Sequence, residues 1–365
     1  MINFKIGCHV SAAGGVWNAP KNAAELECET FQIFTRPPMG GPAPKIDEEA
    51  VEKFKSEMRK YFPASPTPSA AFKASEDKLR KLGGKRGASP SFQGGVSPVA
   101  LAEGDEVVGA EFVVHAPYIV NFGSAKKPTY HGSISIVSDE LKRANLIGAK
   151  YVMTHLGSFK DLGPEKGMVQ AKAGFVSVME KYEADSGASV GGPKTQFLLE
   201  IAAGSGEVIG DTFEELAELM EPLTKFKTFG GICFDTQHAF SSGYDLRDKK
   251  VVEATFKQFD KAIGLKWLKM SHINDSKIDL GGRKDRHEHI GDGKIGEKGF
   301  GEMIKYWKKH LKPEKNLSTR QGGSLLSLKG ETSNVAYGSM PLILETDHDK
   351  VETDIKILKK LRNKI

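Results

Sequence analysis

The stretch DRHEHIGDGKIG, residues 285 to 296, places Asp285, His287, Glu288, His289 and Asp292 within eight positions among glycines and charges. Imidazole nitrogens and carboxylate oxygens without thiolates suit Zn²⁺ or Mn²⁺. A loop of this composition is more often a solvated surface, so a metal site needs donors from elsewhere in the chain. Six apolar runs supply them at or near their last residue. FVVH ends on His115, YVMTH on His155, GICFD on Asp235, WLKMSH on His272 and PLILE on Glu345, while QFLLEI carries Glu200. His238 follows Asp235 by three positions in FDTQH and joins Asp285 and His287 in a further set. The nine donors exceed what one ion can use, and two or three metals are implied. Left empty, such a cluster of charges and imidazoles is costly to bury.

The elements that would hold these donors follow from periodicity. Eight short β-rich runs, at 4–9, 30–34, 112–115, 151–155, 196–201, 231–235, 267–272 and 341–345, predict strands. Between them lie amphipathic segments. Residues 211–223 have the capping-box spacing Thr212 to Glu215, with Phe213, Leu216, Met220 and Leu223 on one face. Residues 133–147 repeat Ile134, Val137, Leu141 and Ala144 at helical spacing. Eight strands alternating with helices predict an α/β fold, a (β/α)8 TIM barrel in preference to an open doubly wound sheet. No GxGxxG follows the first strand, where SAAGG stands instead. In such a barrel the C-terminal strand ends converge on one mouth, so the donors would meet.

At 365 residues, 39% hydrophobic and 27% charged, the chain suffices for one large domain spanning 1–365. Two stretches interrupt the alternation: 63–110, rich in Pro, Ala, Ser and Gly with a basic cluster from Lys73 to Arg86, and the polar 312–339. Both read as insertions on the face opposite the mouth. A net charge of +5 permits a nucleic-acid partner without arguing for one. Cys8, Cys28 and Cys233 lack C-x-x-C spacing, which predicts neither a disulfide framework nor a thiolate zinc site. The opening MINFKIGCHVSAAGG lacks the pattern of a secretory signal, and no apolar run approaches the ~18 residues of a membrane span. The expectation is a soluble, unsecreted, cytoplasmic monomer.

In combination, IGCHVSAAGG, HAPY, THLGS, LLEIAAGSG, CFDTQHAFSSGYD, SHINDSK, GGRKDRHEHIGDGKIG and LILET resemble the endonuclease IV family of apurinic/apyrimidinic endonucleases, across the chain outside the two insertions. The resemblance implies three zincs: one on His115, His155 and Glu200, a second on Glu200, Asp235, His272 and Glu345, and a third on His238, Asp285 and His287. Mn²⁺ could replace Zn²⁺ at one or more of these sites. It also implies hydrolysis of the phosphodiester 5′ to an abasic site in duplex DNA, with Glu345 and Glu200 catalytic, leaving a 3′-hydroxyl and a 5′-deoxyribose phosphate. Tyr118 in HAPY matches the family's recognition tyrosine. The family's arginine wedge after the second strand does not: TRPPMGG offers Met39 near that position and Arg36 as a second candidate. Arg283, Lys284, Arg286 and Lys294 are read as phosphate contacts. His9 is expected to support a ligand by hydrogen bonding, Glu288 and His289 to face solvent, and Asp292 to orient the loop. His131, His310 and His348 read as incidental. The alternative is a sugar isomerase or epimerase on a related barrel, which would not need the set His238, Asp285 and His287.

Overall fold

The computed structural model describes residues 2–63, 110–186, 195–312 and 338–365. Eight parallel strands close a barrel: β1 (Asn3–His9), β2 (Thr30–Ile33), β3 (Phe112–His115), β4 (Tyr151–Thr154), β5 (Gln196–Glu200), β6 (Phe229–Cys233), β7 (Leu268–His272) and, after a short hairpin, β10 (Ser339–Leu344). Around the ring the order is β1-β10-β7-β6-β5-β4-β3-β2. First and last strands therefore pair, from Asn3 with Ser339 to Cys8 with Leu344, and both chain ends join one barrel. The expectation of a closed (β/α)8 barrel holds. The stretches 63–110 and 312–339 lie, apart from their terminal residues, outside the described residues.

Strand alternation sorts the side chains into two cores. Val113, Tyr151, Met153, Leu198, Cys233, Met270 and Ile343 fill the inside of the barrel. Alternate positions such as Phe4, Ile6, Cys8, Phe31 and Phe197 pack outward against the helices. At about 25 cal/mol per Å² of apolar surface, burial of these two layers is the main stabilising contribution. The outer layer includes Trp307 of the helix Gly296–His310 and Phe213 of the helix Phe213–Met220. Thr212 caps the latter, accepting from the Glu215 amide at 3.1 Å, while Glu215 turns back to the Gly210 amide at 2.8 Å. The predicted capping box is thus half formed. The second predicted helix is longer than its apolar stripe, running Lys127–Ile147.

Several strands stop short of their predicted ends, and this aims the donors. β4 ends at Thr154 and β10 at Leu344, so His155 and Glu345 lie one residue beyond. β6 ends at Cys233, and Asp235 is instead the cap of the helix Thr236–Ser241, its Oδ1 accepting from the His238 amide at 2.8 Å. The register of β6 shifts against both neighbours. Gly231 permits this: its φ is 139°, and a Cβ there would lie 2.2 Å from the Trp267 carbonyl oxygen.

Candidate metal centre

The donors predicted from strand ends converge at the C-terminal mouth. Ligand atoms of His115, His155 and Glu200 lie within 4.8 Å of one another, as do those of Glu200, Asp235, His272 and Glu345. Glu200 is common to both groups. Its Oε1 is 2.6 Å from His272 Nδ1 and its Oε2 is 3.3 Å from His115 Nε2 and 3.7 Å from His155 Nδ1. A third group forms from Asp235, His238 and His287. Asp285, predicted to complete it, is half exposed at the rim, 3.5 Å from His238 Nε2 and 3.4 Å from His287 Nε2. All nine residues are therefore brought together, and Asp235 reaches towards two groups.

The donor set fits divalent cations. His238 Nδ1 donates to the Ile201 carbonyl at 2.8 Å, which leaves Nε2 as the nitrogen that a cation would take in exchange for a proton. Among the described residues that nitrogen and His287 Nε2 are buried without a hydrogen-bond partner, although the Asp285 carboxylate faces both. Two buried imidazole nitrogens left open beside carboxylates are a costly arrangement unless a cation completes it. Protons redistribute within the cluster in the same sense. Burial opposes the charge of Glu200, but His272 and His155 outweigh it and hold the carboxyl well below its ordinary range. Burial likewise opposes charging of His238, yet Asp235 and Asp285 raise it well above the ordinary imidazole value. His155 goes the other way, lowered to about 4 by burial. Cys233 also approaches Glu200 and His272, but burial pushes its thiol up to about 12 and keeps it protonated.

The loop of residues 285–296 is pinned from both sides. Asp275–Ser276 (β8) pairs antiparallel with His287–Glu288 (β9), which fixes His287 at the mouth. Asp275 then gathers the following turn, accepting from the amides of Gly291, Gly293, Ile295 and Gly296 at 2.8–3.3 Å. A Cβ on Gly293 would lie 2.4 Å from Asp275 Oδ1, so the DGKIG spacing admits the carboxylate. The orienting acid is thus Asp275, correcting the expectation for Asp292, which is exposed and pairs with Lys350 at 3.0 Å. His289 is also corrected. It is buried between Asp354, 2.8 Å from its Nδ1, and Asp349, 3.1 Å from its Nε2, and ties the loop to the helix Val351–Asn363. Asp275→Asn should lower the unfolding free energy by at least ~2 kcal/mol, because several buried amides lose a charged acceptor. Chemical denaturation measures this, and an unchanged midpoint would remove Asp275 from the loop's support.

At the rim, Met39 is 78% exposed and Tyr118 48%. The Tyr118 amide donates to the Pro38 carbonyl at 3.0 Å, and its ring lies 5.5 Å from that of His115 and 5.4 Å from that of His155. Ile119, not singled out from the sequence, is exposed beside Gly40. Arg36 does not join this rim. Its guanidinium pairs with Glu140 and Asp139 and its side chain is 10% exposed, so the expectation of a DNA-facing Arg36 is corrected. Arg143 completes the clamp, donating to the Thr35 carbonyl at 2.6 Å. Arg283 pairs with Asp211 at 2.6 Å and Lys294 lies 3.7 Å from Asp279. Lys284 and Arg286 are exposed, Arg286 donating to the Asp285 carbonyl at 2.6 Å. A cation that neutralises a DNA phosphate contributes about one to the slope of log affinity against log salt. Arg286→Gln should remove about one from that slope and Arg36→Gln should leave it unchanged; anisotropy titrations across a salt series decide, and the reverse pattern would exchange the two roles.

Sequence reasoning missed Gln32, Asn274 and Asp275. Gln32 is fully buried with its amide between Glu345 and His272. Asn274 donates to Asp235 Oδ2 at 2.9 Å and accepts from the Glu345 amide at 2.8 Å. The only signal for Gln32 was a polar residue at the inward position of TFQIF. His9 was expected to support a ligand by hydrogen bonding; its Nδ1 instead lies 3.1 Å from Gln32 Nε2, and it reaches Glu345 only through that amide.

Residues 102–306 match a family model described as a xylose isomerase-like TIM barrel. The probable endonuclease 4 of Nitrosopumilus maritimus is 33% identical over 310 residues, covering 85% of this chain and 91% of that protein. That of Methanoculleus marisnigri is 34% identical over 301 residues, covering 82% and 87%. Among solved structures, endonuclease IV from Thermus thermophilus superposes with a TM-score of 0.67 at 23% identity, covering 99% of this chain and all of that one. A D-tagatose 3-epimerase-like protein gives 0.56 at 17% identity, covering 99% of each. At such identities these two structures share the fold and carry no further argument. Among the described residues no helix is long and apolar enough to cross a membrane.

Proposed function

Since the chain belongs to the endonuclease IV family of apurinic/apyrimidinic endonucleases, DNA-cleaving hydrolases of DNA repair, we propose that its barrel mouth hydrolyses the phosphodiester 5′ to an abasic site in duplex DNA. The products are a 3′-hydroxyl and a 5′-deoxyribose phosphate. The observation that carries this reading is the convergence of nine imidazole and carboxylate residues on one mouth, with His238 Nε2 and His287 Nε2 buried beside Asp285 and making no hydrogen bond among the described residues. His115, His155 and Glu200 would hold one zinc, Glu200, Asp235, His272 and Glu345 a second, and His238, His287 and Asp285 a third, with Asp235 close to this last group. Bound divalent cations lower the pKa of a water from ~15.7 towards ~7 and stabilise charge on phosphate and leaving oxygens.

The chain's own side chains supply the rest. Glu345 is the acceptor that orients the attacking water: burial opposes its charge, but His272 lowers its pKa, so it is ionised at neutral pH. Water's oxygen bonds to phosphorus, the bond from phosphorus to the 3′-oxygen breaks, and that oxygen leaves with a proton. Met39 and Tyr118 stand where a base is missing, the place at which extruding the sugar costs least. Lys284 and Arg286 face the phosphates. The test is an end-labelled duplex with one tetrahydrofuran abasic analogue, which blocks β-elimination. A single cut 5′ to the analogue with an extendable 3′ end is expected. No cut by fully metallated protein would sink the reading and return weight to a sugar substrate.

A further inference from the structure

Gln32 lies on β2 with no exposed surface, and its amide touches three groups at the mouth. Its Nε2 donates to Glu345 Oε1 at 2.6 Å and lies 3.1 Å from His9 Nδ1, while its Oε1 is 2.7 Å from His272 Nε2. Chemistry fixes the amide's orientation. An ionised carboxylate can only accept, so the end facing Glu345 must be the NH2 group, and the carbonyl end is left for His272. A carbonyl can only accept in turn, so His272 must carry a proton on Nε2, and a cation would displace only the one on Nδ1. His272 Nδ1 is then the nitrogen directed at Glu200 Oε1, 2.6 Å away, and at Glu345 Oε2, 3.3 Å away.

We infer that Gln32 is a positioning residue that works with both hands: its carbonyl selects the Nε2–H tautomer of His272, presenting Nδ1 to the cation, and its NH2 holds Glu345 by one oxygen. Glu345 Oε2 is left for cation or water. The role rests on His272 and Glu345 being metal ligands. Outer partners of this kind typically change metal affinity or activity 10–100-fold when removed, because they set the direction and basicity of the ligand. His9 closes the chain, its Nδ1 taking the second Nε2 proton of Gln32. The residue thus links β1, β2, β7 and the residue that follows β10, at four of the strands that frame the mouth.

The experiment compares zinc-loaded wild type, Gln32→Leu and Gln32→Glu. Leucine keeps much of the volume and removes both hands; glutamate keeps an acceptor for His272 and loses the donor to Glu345. Imidazole ¹⁵N NMR reads the tautomer, release of zinc to a chelator reads ligand strength, and kcat against KM on the abasic duplex reads turnover. In wild type, His272 should show a protonated Nε2 and an Nδ1 that responds to zinc. In Gln32→Leu, one zinc equivalent should leave about 10–100-fold faster and kcat should fall with KM unchanged. Gln32→Glu should keep the His272 tautomer and still lose kcat. Wild-type tautomer and zinc release in Gln32→Leu would overturn the role while leaving the metal assignment intact. A wild-type His272 that ignores zinc would instead overturn the ligand assignment beneath it, and the role of Gln32 with it.

Discussion

Glu345→Gln should reduce single-turnover cleavage of the abasic duplex by about 10²–10⁴-fold, the range for removal of a positioned proton acceptor, while binding of the uncut duplex persists. The substitution is nearly isosteric, so the packing of β10 should survive. Two local losses follow from the geometry. A glutamine keeps one acceptor oxygen of the two, so either Gln32 Nε2, 2.6 Å from Glu345 Oε1, or the mouth would face an NH2 group that cannot accept, and the negative charge 3.3 Å from His272 Nδ1 would disappear. The backbone is held independently, through the Glu345 amide and Asn274 Oδ1, so the side chain should keep its place. Cleavage, anisotropy and metal content should be measured on the same preparation. Near wild-type cleavage with full metal content would remove Glu345 from the chemistry.

Glu345 is legible in the sequence for a structural reason. Parallel strands buried on both faces read as short apolar runs, and a barrel turns the end of each run into a position at one mouth. His115 and His272 were therefore placed at strand ends, and the structure keeps both as last residues of their strands. Periodicity blurs where the backbone leaves the ladder. Asp235 looked like the end of GICFD, but the strand stops two residues earlier and the carboxylate caps a helix with one oxygen while turning the other to Asn274 and the mouth.

Supporting residues were harder to see for a different reason. Gln32, Asn274 and Asp275 matter through hydrogen bonds to partners up to 313 positions away, as between Gln32 and Glu345, and no local pattern encodes such pairings. His289 shows the converse error. In a loop of charges it reads as solvated, yet Asp354 and Asp349, some sixty positions later, bury it as an ion-paired anchor. Arg36 failed as a rim contact because Glu140 and Asp139 of the helix Lys127–Ile147, about a hundred positions later, claim its guanidinium. The loop base is thereby fixed while Met39 stays exposed.

Stripping the metals should abolish cleavage and leave a protein whose stability falls as pH rises above about 6.5, a trend that zinc suppresses. The sign follows from two histidines. Burial opposes charging of His272, but the Glu345 and Glu200 carboxylates outweigh it, and His238 is raised by Asp235 and Asp285 against the same burial; both stand well above their ordinary 6.5. A raised folded-state pKa contributes stability that is fully present below the unfolded value and is lost as pH climbs through the folded one. His155 and His9 are lowered to about 4 by burial, so their contribution changes only as pH falls from 6.5 towards 4 and does not blur the higher window. Zinc must displace the protons on His238 and His272. Loading should therefore release protons, seen as a dependence of the calorimetric heat on the buffer's ionisation enthalpy, and zinc affinity should weaken as pH falls. Excess zinc should restore part of the cleavage lost on the acid side, which a simple catalytic titration would not allow. Proton-free loading, or a stripped protein whose thermal midpoint rises between neutral and alkaline pH, would show that these histidines are not charged partners of the empty carboxylates, and the cluster's fit to cations would have to rest on its geometry alone.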